Sequence, residues 1–189
     1  MKQIILGITG TIGSGKSTAS QILVNQGFKH LSVRHYLEKE LQKENKTPNR
    51  DNLSYIANKI RQEKGEDAII KGLYKLALAH NQNIVMESIR AQGEINYLQN
   101  KGHSIIAITA DLKTRYERIK KRGLITDEVT FEKFKLQEEA ENKNIESHKQ
   151  NLLESIQKTN YTIKNDQDTT NLKTKLDSII DKIYEITNQ

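Results

Sequence analysis

Short apolar runs, separated by longer stretches with helical spacing, organise this chain from end to end. The first run, Ile4-Ile5-Leu6-Gly7-Ile8, predicts a strand over 3–8. Further runs predict strands over 28–33, 83–87, 104–109 and 161–164. Between them the apolar period lengthens. Leu53, Ile56, Ala57 and Ile60 share one face of a helix over 51–64, and Ile69, Ile70, Leu73 and Ala77 share one face of a helix over 66–80. Alternation of this kind predicts an α/β domain built on a five-stranded parallel sheet.

Two departures from simple alternation carry information. The stretch 34–82 holds three helical patterns and no strand, with the only proline, Pro48, in a turn between two of them. That is too much chain for a crossover. It predicts a helical insertion over the C-terminal edge of the sheet, where open α/β folds bind ligands. Near the end, Leu172, Leu176, Ile179, Ile183 and Ile186 form one helical stripe that either packs on the chain's own sheet or makes a dimer seam, so monomer and homodimer both stay open. Other helices are expected over 15–25, ending at Gly27; after Asp111, ending at Gly123; and through the charged stretch 131–157.

At 189 residues the chain fits one domain. It has no cysteine, which excludes disulfides, thiolate zinc sites and a cysteine nucleophile. The histidines (His30, His35, His80, His103 and His148) lack metal-ligand spacing, so any metal should be Mg²⁺ brought with a nucleotide. No apolar run reaches the roughly 18 residues of a membrane span, and the N-terminal run leads into glycines instead of a cleavage site; the expectation is a cytoplasmic protein with no membrane partner. The net charge of +6 raises nucleic acid as a partner. Most of that charge is lysine interleaved with acids, as in Lys39-Glu40, which weakens the suggestion. The arginines are confined to Arg34, Arg50, Arg61, Arg90, Arg115, Arg118 and Arg122, and in a lysine-rich chain such a confined set marks places that need a planar, bidentate phosphate binder.

The strongest local signal is GTIGSGKST at 10–18. It matches G-x-x-x-x-G-K-[ST] at Gly10, Gly15, Lys16 and Ser17, between a predicted strand and a predicted helix. Backbone N–H groups, a lysine and a hydroxyl for Mg²⁺ are what a nucleotide triphosphate needs. A second signal is NIVMESIR at 83–90: Glu87 is the only acid ending a central apolar strand, and a carboxylate there can hold Mg²⁺ directly or through water. Arg90 follows at the same edge. The third is the spacing of Arg115, Arg118 and Arg122, which lets them share a helix face beside Gly123, a suitable arrangement for cations that close over a transferring phosphoryl group.

Taken together, GTIGSGKST, the helical insertion, VMESIR and RYERIKKRG resemble the P-loop nucleotide kinases, that is, the adenylate-kinase-like nucleoside monophosphate kinases and the related dephospho-CoA kinases. The likeness extends to Tyr161-Thr162-Ile163-Lys164-Asn165-Asp166. A smaller group of predicted nucleotide kinases is most similar, on Asn49-Arg50-Asp51-Asn52-Leu53, Glu87-Ser88-Ile89-Arg90 and Thr126-Asp127. The resemblance implies a three-layer α/β/α P-loop NTPase fold over 1–189: a core over 1–33, 83–115 and 130–189, an acceptor-binding insertion over 34–82 and a short lid over 116–129. It implies that Gly10, Gly13, Ser14, Gly15, Lys16, Ser17 and Thr18 hold ATP phosphates, with Ser17 and Glu87 on Mg²⁺. It places Arg118 and Arg122 in the lid, one near the adenine and one on the transferring phosphate, with Arg118 counted among the ATP-binding residues; it puts Asn165 near the adenine, and Arg34, His35, Arg50, Arg61 and Arg90 toward the acceptor. Lys16, Arg90, Arg118 and Arg122 would be the catalytic cations.

The pattern departs from these families in two places. Glu87-Ser88-Ile89-Arg90 lacks the Gly-Phe-Pro centre of the adenylate kinase box. The segment Leu31-Ser32-Val33-Arg34-His35-Tyr36 lacks the acid with which dephospho-CoA kinases deprotonate a ribose hydroxyl, leaving His35 as a substitute base or a changed contact. A phosphate acceptor needs no general base, so arginine without acid favours ATP-dependent transfer to a small nucleotide, a (deoxy)nucleoside monophosphate. The alternatives are 3′-hydroxyl phosphorylation of the dephospho-CoA kinase type, a non-catalytic ATP-binding interaction module and, from the net charge, a nucleic-acid acceptor.

Overall fold

The computed structural model describes residues 3–123, 129–142 and 152–187. Five strands, β1 (Ile5–Gly10), β2 (Lys29–Ser32), β3 (Ile84–Ile89), β4 (Ser104–Thr109) and β5 (Tyr161–Lys164), form one sheet in the order β2-β3-β1-β4-β5. All four pairings are parallel. Because a parallel sheet is covered on both faces, its central strands read as continuous apolar runs, as the sequence pattern anticipated.

Alternate residues of each strand feed opposite helical layers. Ile5, Ile84, Met86 and Ile105 face α2 (Val33–Lys43), α3 (Arg50–Lys64), α4 (Ala68–Leu78) and α5 (Gln92–Asn100). Leu6, Ile8, Val85, Ile106, Ile108 and Ile163 face α1 (Lys16–Asn25) and α9 (Thr169–Thr187). The remaining helices are α6 (Leu112–Arg122), α7 (Phe131–Asn142) and α8 (Leu152–Gln157). The result is the expected α/β/α sandwich.

The three helices of 34–82 are α2, α3 and α4, packed through the predicted faces: Ile56, Ala57, Ile60, Ile69, Ile70, Leu73 and Ala77 are all buried. The C-terminal stripe is core. Leu172, Leu176, Ile179 and Ile183 sit under the sheet, and only Ile186 emerges, at 66% exposure. Sequence periodicity did not reveal α5, whose nine residues QGEINYLQN carry few apolar positions. Asp111 occupies the N-cap position of α6 without a side-chain cap bond, and its carboxylate pairs with Lys164 at 3.0 Å instead. Of the charged stretch 131–157, the parts 131–142 and 152–157 are helical, whereas 143–151 with His148, and Thr126-Asp127 within 124–128, lie outside the described residues.

Strand order places the site. β1 is the central strand, flanked by β3 and β4; the crossover leaving it through α1 and the one leaving β3 through α5 run in opposite directions on opposite faces, so a crevice opens at the C-terminal ends of β1 and β3. The register between β1 and β3 slips at that end: Ile8 pairs with Glu87 but Thr9 pairs with Ile89. Ser88 is the extra residue and adopts φ 72°, a left-handed conformation rarely taken outside glycine, asparagine and aspartate.

Candidate active site: a phosphate loop facing a wall of arginines

The loop between β1 and α1 is shaped by glycines at positive φ: Gly10 at 141°, Gly13 at 75° and Gly15 at 101°. All three also lack room for a side chain: a Cβ on Gly10 would run into the Ile108 carbonyl oxygen. A Cβ on Gly13 would lie 2.6 Å from the Arg115 carbonyl oxygen, and one on Gly15 would run into the Asn165 side-chain amide. Gly15 is the N-cap of α1, so the first-turn N–H groups of that helix point into the loop, the arrangement that binds phosphate. Two distant contacts and one within the loop brace it. Asn165 Nδ2 donates to the Ser14 carbonyl at 2.8 Å, Arg115 Nη1 donates to the Ile12 carbonyl at 3.1 Å, and Lys16 Nζ donates to the Thr11 carbonyl at 2.8 Å.

Lys16 is 9% exposed. Burial is the main reason its pKa falls to about 7; the nearby Arg90 charge lowers it further, while Glu87 and Glu138 oppose the fall. A buried ammonium without a full counter-charge is prepared for a polyanion.

Glu87 receives hydrogen bonds from the hydroxyls of Ser17 and Ser88, each at 3.2 Å to Oε1, and His30 Nε2 lies 3.3 Å from its Oε2. Burial pushes this carboxyl up, but the hydrogen bond from His30 and the Lys16 charge outweigh it and hold the pKa below the usual glutamate value. Ser17 and Glu87 therefore offer two hard oxygen donors on one side of the loop, spaced close to the roughly 3 Å edge of a Mg²⁺ octahedron. The donor set fits that ion. His30 reads from the sequence as a scattered imidazole; only the pairing of β2 with β3 brings it to Glu87.

A cleft of about 660 Å³ opens in front of the loop. Gly13, Gly15, Lys16, Ser17 and Thr18 line it on the loop side, Glu87 and Ser88 at the sheet edge, and Arg34, Arg61, Arg90, Arg118 and Arg122 elsewhere. Five arginines scattered over 89 positions of sequence, from 34 to 122, thus converge on one space. Val33, Leu37, Pro48, Asn49, Leu53 and Ser54 line the insertion side; of these, Val33, Leu37 and Ser54 were not singled out as site residues from the sequence.

The other expected site residues lie around this lining. Gly10 ends β1 and Ser14 is buried in the loop. Asn165 is 6% exposed, with its amide on Ser14. His35 does not line the cleft; its Nδ1 lies 3.6 Å from Glu38, beside the Arg34–Glu38 pair at 2.8 Å. Arg50 starts α3. The arginines of α6 divide their work. Arg118 donates to the carbonyls of Asn165 and Gln167, at 2.8 and 3.1 Å, tying α6 to the turn after β5. Arg115 turns inward to pair with Glu138 at 2.7 Å while its guanidinium sits 5.6 Å from the Phe134 ring centroid.

One charged group was invisible to sequence reading because its helix was. Glu94, on α5, is fully buried. Its Oε1 accepts from Arg61 Nη2 and Nε at 2.8 and 3.3 Å, and its Oε2 accepts from the backbone N–H groups of Arg90 and Ala91 at 3.0 and 3.1 Å. Glu94 thereby joins the insertion to the turn that carries Arg90.

Residues 6–147 match the model of a family described as an AAA domain. A UPF0200 protein of Methanocaldococcus jannaschii is 33% identical over 135 residues, covering 69% of this chain and 68% of that relative. Another from Pyrococcus abyssi is 29% identical over 195 residues, covering 98% of this chain and all of the relative. Among solved structures, a shikimate kinase from Bacteroides thetaiotaomicron superposes with a TM-score of 0.59 at 13% identity, covering 98% of this chain and 99% of that one. A dephospho-CoA kinase from Campylobacter jejuni superposes with a TM-score of 0.56 at 18% identity, covering 98% and 100%. At such identities these structures share the fold, a kinase-like P-loop α/β sandwich.

Proposed function

This chain belongs to the UPF0200 family and carries a kinase-like P-loop domain, which implies nucleotide binding, and from that premise we propose that it transfers the γ-phosphoryl group of ATP to a small nucleotide, a (deoxy)nucleoside monophosphate. The observation that carries the reading is the two-sided cleft: a phosphate loop on one side and Arg34, Arg61 and Arg90 on the other, with Arg118 and Arg122 of α6 at the same opening. A protein that only bound ATP would need the loop. It would have no use for a second set of guanidinium groups across the space.

In this reading the loop amides and Lys16 hold the donor phosphates, and the neutral fraction of Lys16 takes up a proton as they arrive. Ser17 and Glu87 would hold Mg²⁺, which supplies charge neutralisation on the bridging and terminal phosphate oxygens. Asn165 and Arg118 stand on the adenine side. Arg90 and Arg34 orient the acceptor phosphate so that one of its oxygens lies in line with the γ-phosphorus. The new bond forms there as the bond to the β-phosphate's bridging oxygen breaks, and the departing diphosphate keeps the electron pair. With Arg118 on the adenine side, Arg122 compensates the charge that builds on the transferring oxygens. No general base is required, because the attacking oxygen is already anionic. Hydroxyl phosphorylation of the dephospho-CoA kinase type draws no support from His35, which is absent from the cleft lining and has its Nδ1 3.6 Å from Glu38.

The test is a thermal-shift panel of nucleoside monophosphates and dephospho-CoA, run with a non-hydrolysable ATP analogue already bound. The true acceptor adds stabilisation beyond the donor's own, and a coupled assay then shows its phosphorylation. Slow ATP hydrolysis with no acceptor effect would overturn the kinase reading and favour an ATP-gated interaction module; salt-sensitive binding of oligonucleotides would point to a nucleic-acid acceptor.

A further inference from the structure

The Arg61–Glu94 pair contains an imbalance. Glu94 satisfies four donors with its two oxygens, whereas Arg61 uses only Nε and Nη2 on Glu94. Arg61 Nη1 is buried and has no hydrogen-bond partner among the described residues, although Arg61 is among the residues that line the cleft. Guanidinium groups carry donors on both edges, and a buried donor without a partner is a standing penalty that folds normally avoid. The pair is also poorly explained as a stabilising element, since apolar residues of the same volume commonly do as well in such a place.

We propose that Arg61 and Glu94 form a built anion subsite in the acceptor half of the cleft, in which Arg61 Nη1 binds a phosphate or carboxylate oxygen of the acceptor and Glu94 holds the guanidinium aimed at it. Because the second carboxylate oxygen of Glu94 grips the N–H groups of Arg90 and Ala91, the same residue keeps Arg61 and the Arg90-bearing turn in register. Arg61 binds; Glu94 is a positioning residue. Nη1 is sealed from solvent in this state, so the anion reaches it only with a small movement of the insertion side chains that cover it. That requirement selects acceptors able to repay the movement with a full negative charge. The subsite deepens the kinase reading, on which its role in catalysis rests, but anion binding at Arg61 is measurable without any transfer reaction.

The phosphate loop is first saturated with a non-hydrolysable ATP analogue and Mg²⁺, and inorganic phosphate is then titrated at constant ionic strength. The wild type is expected to show saturable stabilisation, with the phosphate affinity reduced about tenfold or more in Arg61→Lys and in Glu94→Gln. Retention of wild-type affinity in a folded Arg61→Lys protein overturns the proposal. Should both variants fail to fold, crystals of the wild-type complex soaked in selenate decide: anomalous density within hydrogen-bond distance of Arg61 Nη1 supports the subsite, and selenate bound only at other arginines overturns it. Among acceptors that are turned over, Glu94→Gln is expected to raise the acceptor KM more than it lowers kcat while leaving the ATP KM near the wild-type value, whereas a merely structural loss would reduce active protein and leave both KM values alone. If no acceptor is ever phosphorylated but phosphate binds at Arg61, the kinase reading falls and the subsite stands.

Discussion

Asn165, at the end of β5, closes over the phosphate loop by donating its side-chain amide to the carbonyl of Ser14 at 2.8 Å, a contact between residues 151 positions apart. Gly15 must be glycine for that amide to fit. Removing the donor leaves a buried carbonyl unsatisfied, so Asn165→Ala is expected to lower stability by about 1–3 kcal/mol and to weaken ATP binding through a looser loop. Thermal unfolding with and without nucleotide checks both effects; an unchanged ATP affinity would mean that the loop holds its shape without this brace.

Gly13 faces the other brace. Its φ of 75° and the 2.6 Å approach of the Arg115 carbonyl to any added Cβ make Gly13→Ala doubly unfavourable. The left-handed conformation alone costs about 1–2 kcal/mol for a residue with a Cβ. The expected outcome is a folded but less stable protein with clearly reduced nucleotide affinity, read by calorimetric titration. Full affinity in the variant would show that the loop can shift away from α6 at no expense to binding.

Burial of Lys16 makes folding stability pH-sensitive. With its pKa lowered from 10.5 to about 7, the folded chain binds fewer protons than the unfolded chain between those values. The penalty for burying the charge is therefore complete below pH 7 and is relieved as pH rises toward 10.5. Lys16→Met should be more stable than the wild type at pH 6–7, by on the order of a few kcal/mol, with the difference shrinking as the solution becomes alkaline. Bound phosphates favour the ammonium, so ATP binding at pH 8 should take up a proton and weaken as pH rises above 7. Titrations in buffers of different ionisation enthalpy measure that uptake, and an absence of proton exchange would contradict the arrangement.

Arg115 and Glu138 tie α7 to the loop through a buried ion pair, 6% and 7% exposed. Breaking it from one side leaves an uncompensated charge, so Arg115→Met and Glu138→Met should each lose about 3–5 kcal/mol. The double variant Arg115→Met/Glu138→Met should recover much of that loss, since neither charge remains. Denaturant unfolding of the four proteins tests the coupling, and strict additivity would show that the pair does not act as a unit.

The chain's order of strands and helices, the phosphate loop and its helix, and the insertion were legible in the residues because each is a local property. Period-two and period-3.6 apolar spacing, a glycine cluster before Lys16 and Ser17, and a strand-ending Glu87 depend on neighbours a few positions away. The exception among local elements is α5, where too few apolar positions mark the helix, and with it Glu94 stayed hidden.

What only the tertiary structure decided is which charges meet. Sequence placed Arg115, Arg118 and Arg122 on one helical face, but packing turned Arg115 inward to Glu138 and Ile12 and left Arg118 and Arg122 on the cleft. It could not foresee that Arg61 would be held by Glu94, that His30 would reach Glu87, or that Asn165 would brace Ser14. The physical reason is the same in each case. An ion pair or hydrogen bond acts over about 3 Å, carries no periodic trace in the chain, and exists only after the hydrophobic layers have set the strand order β2-β3-β1-β4-β5.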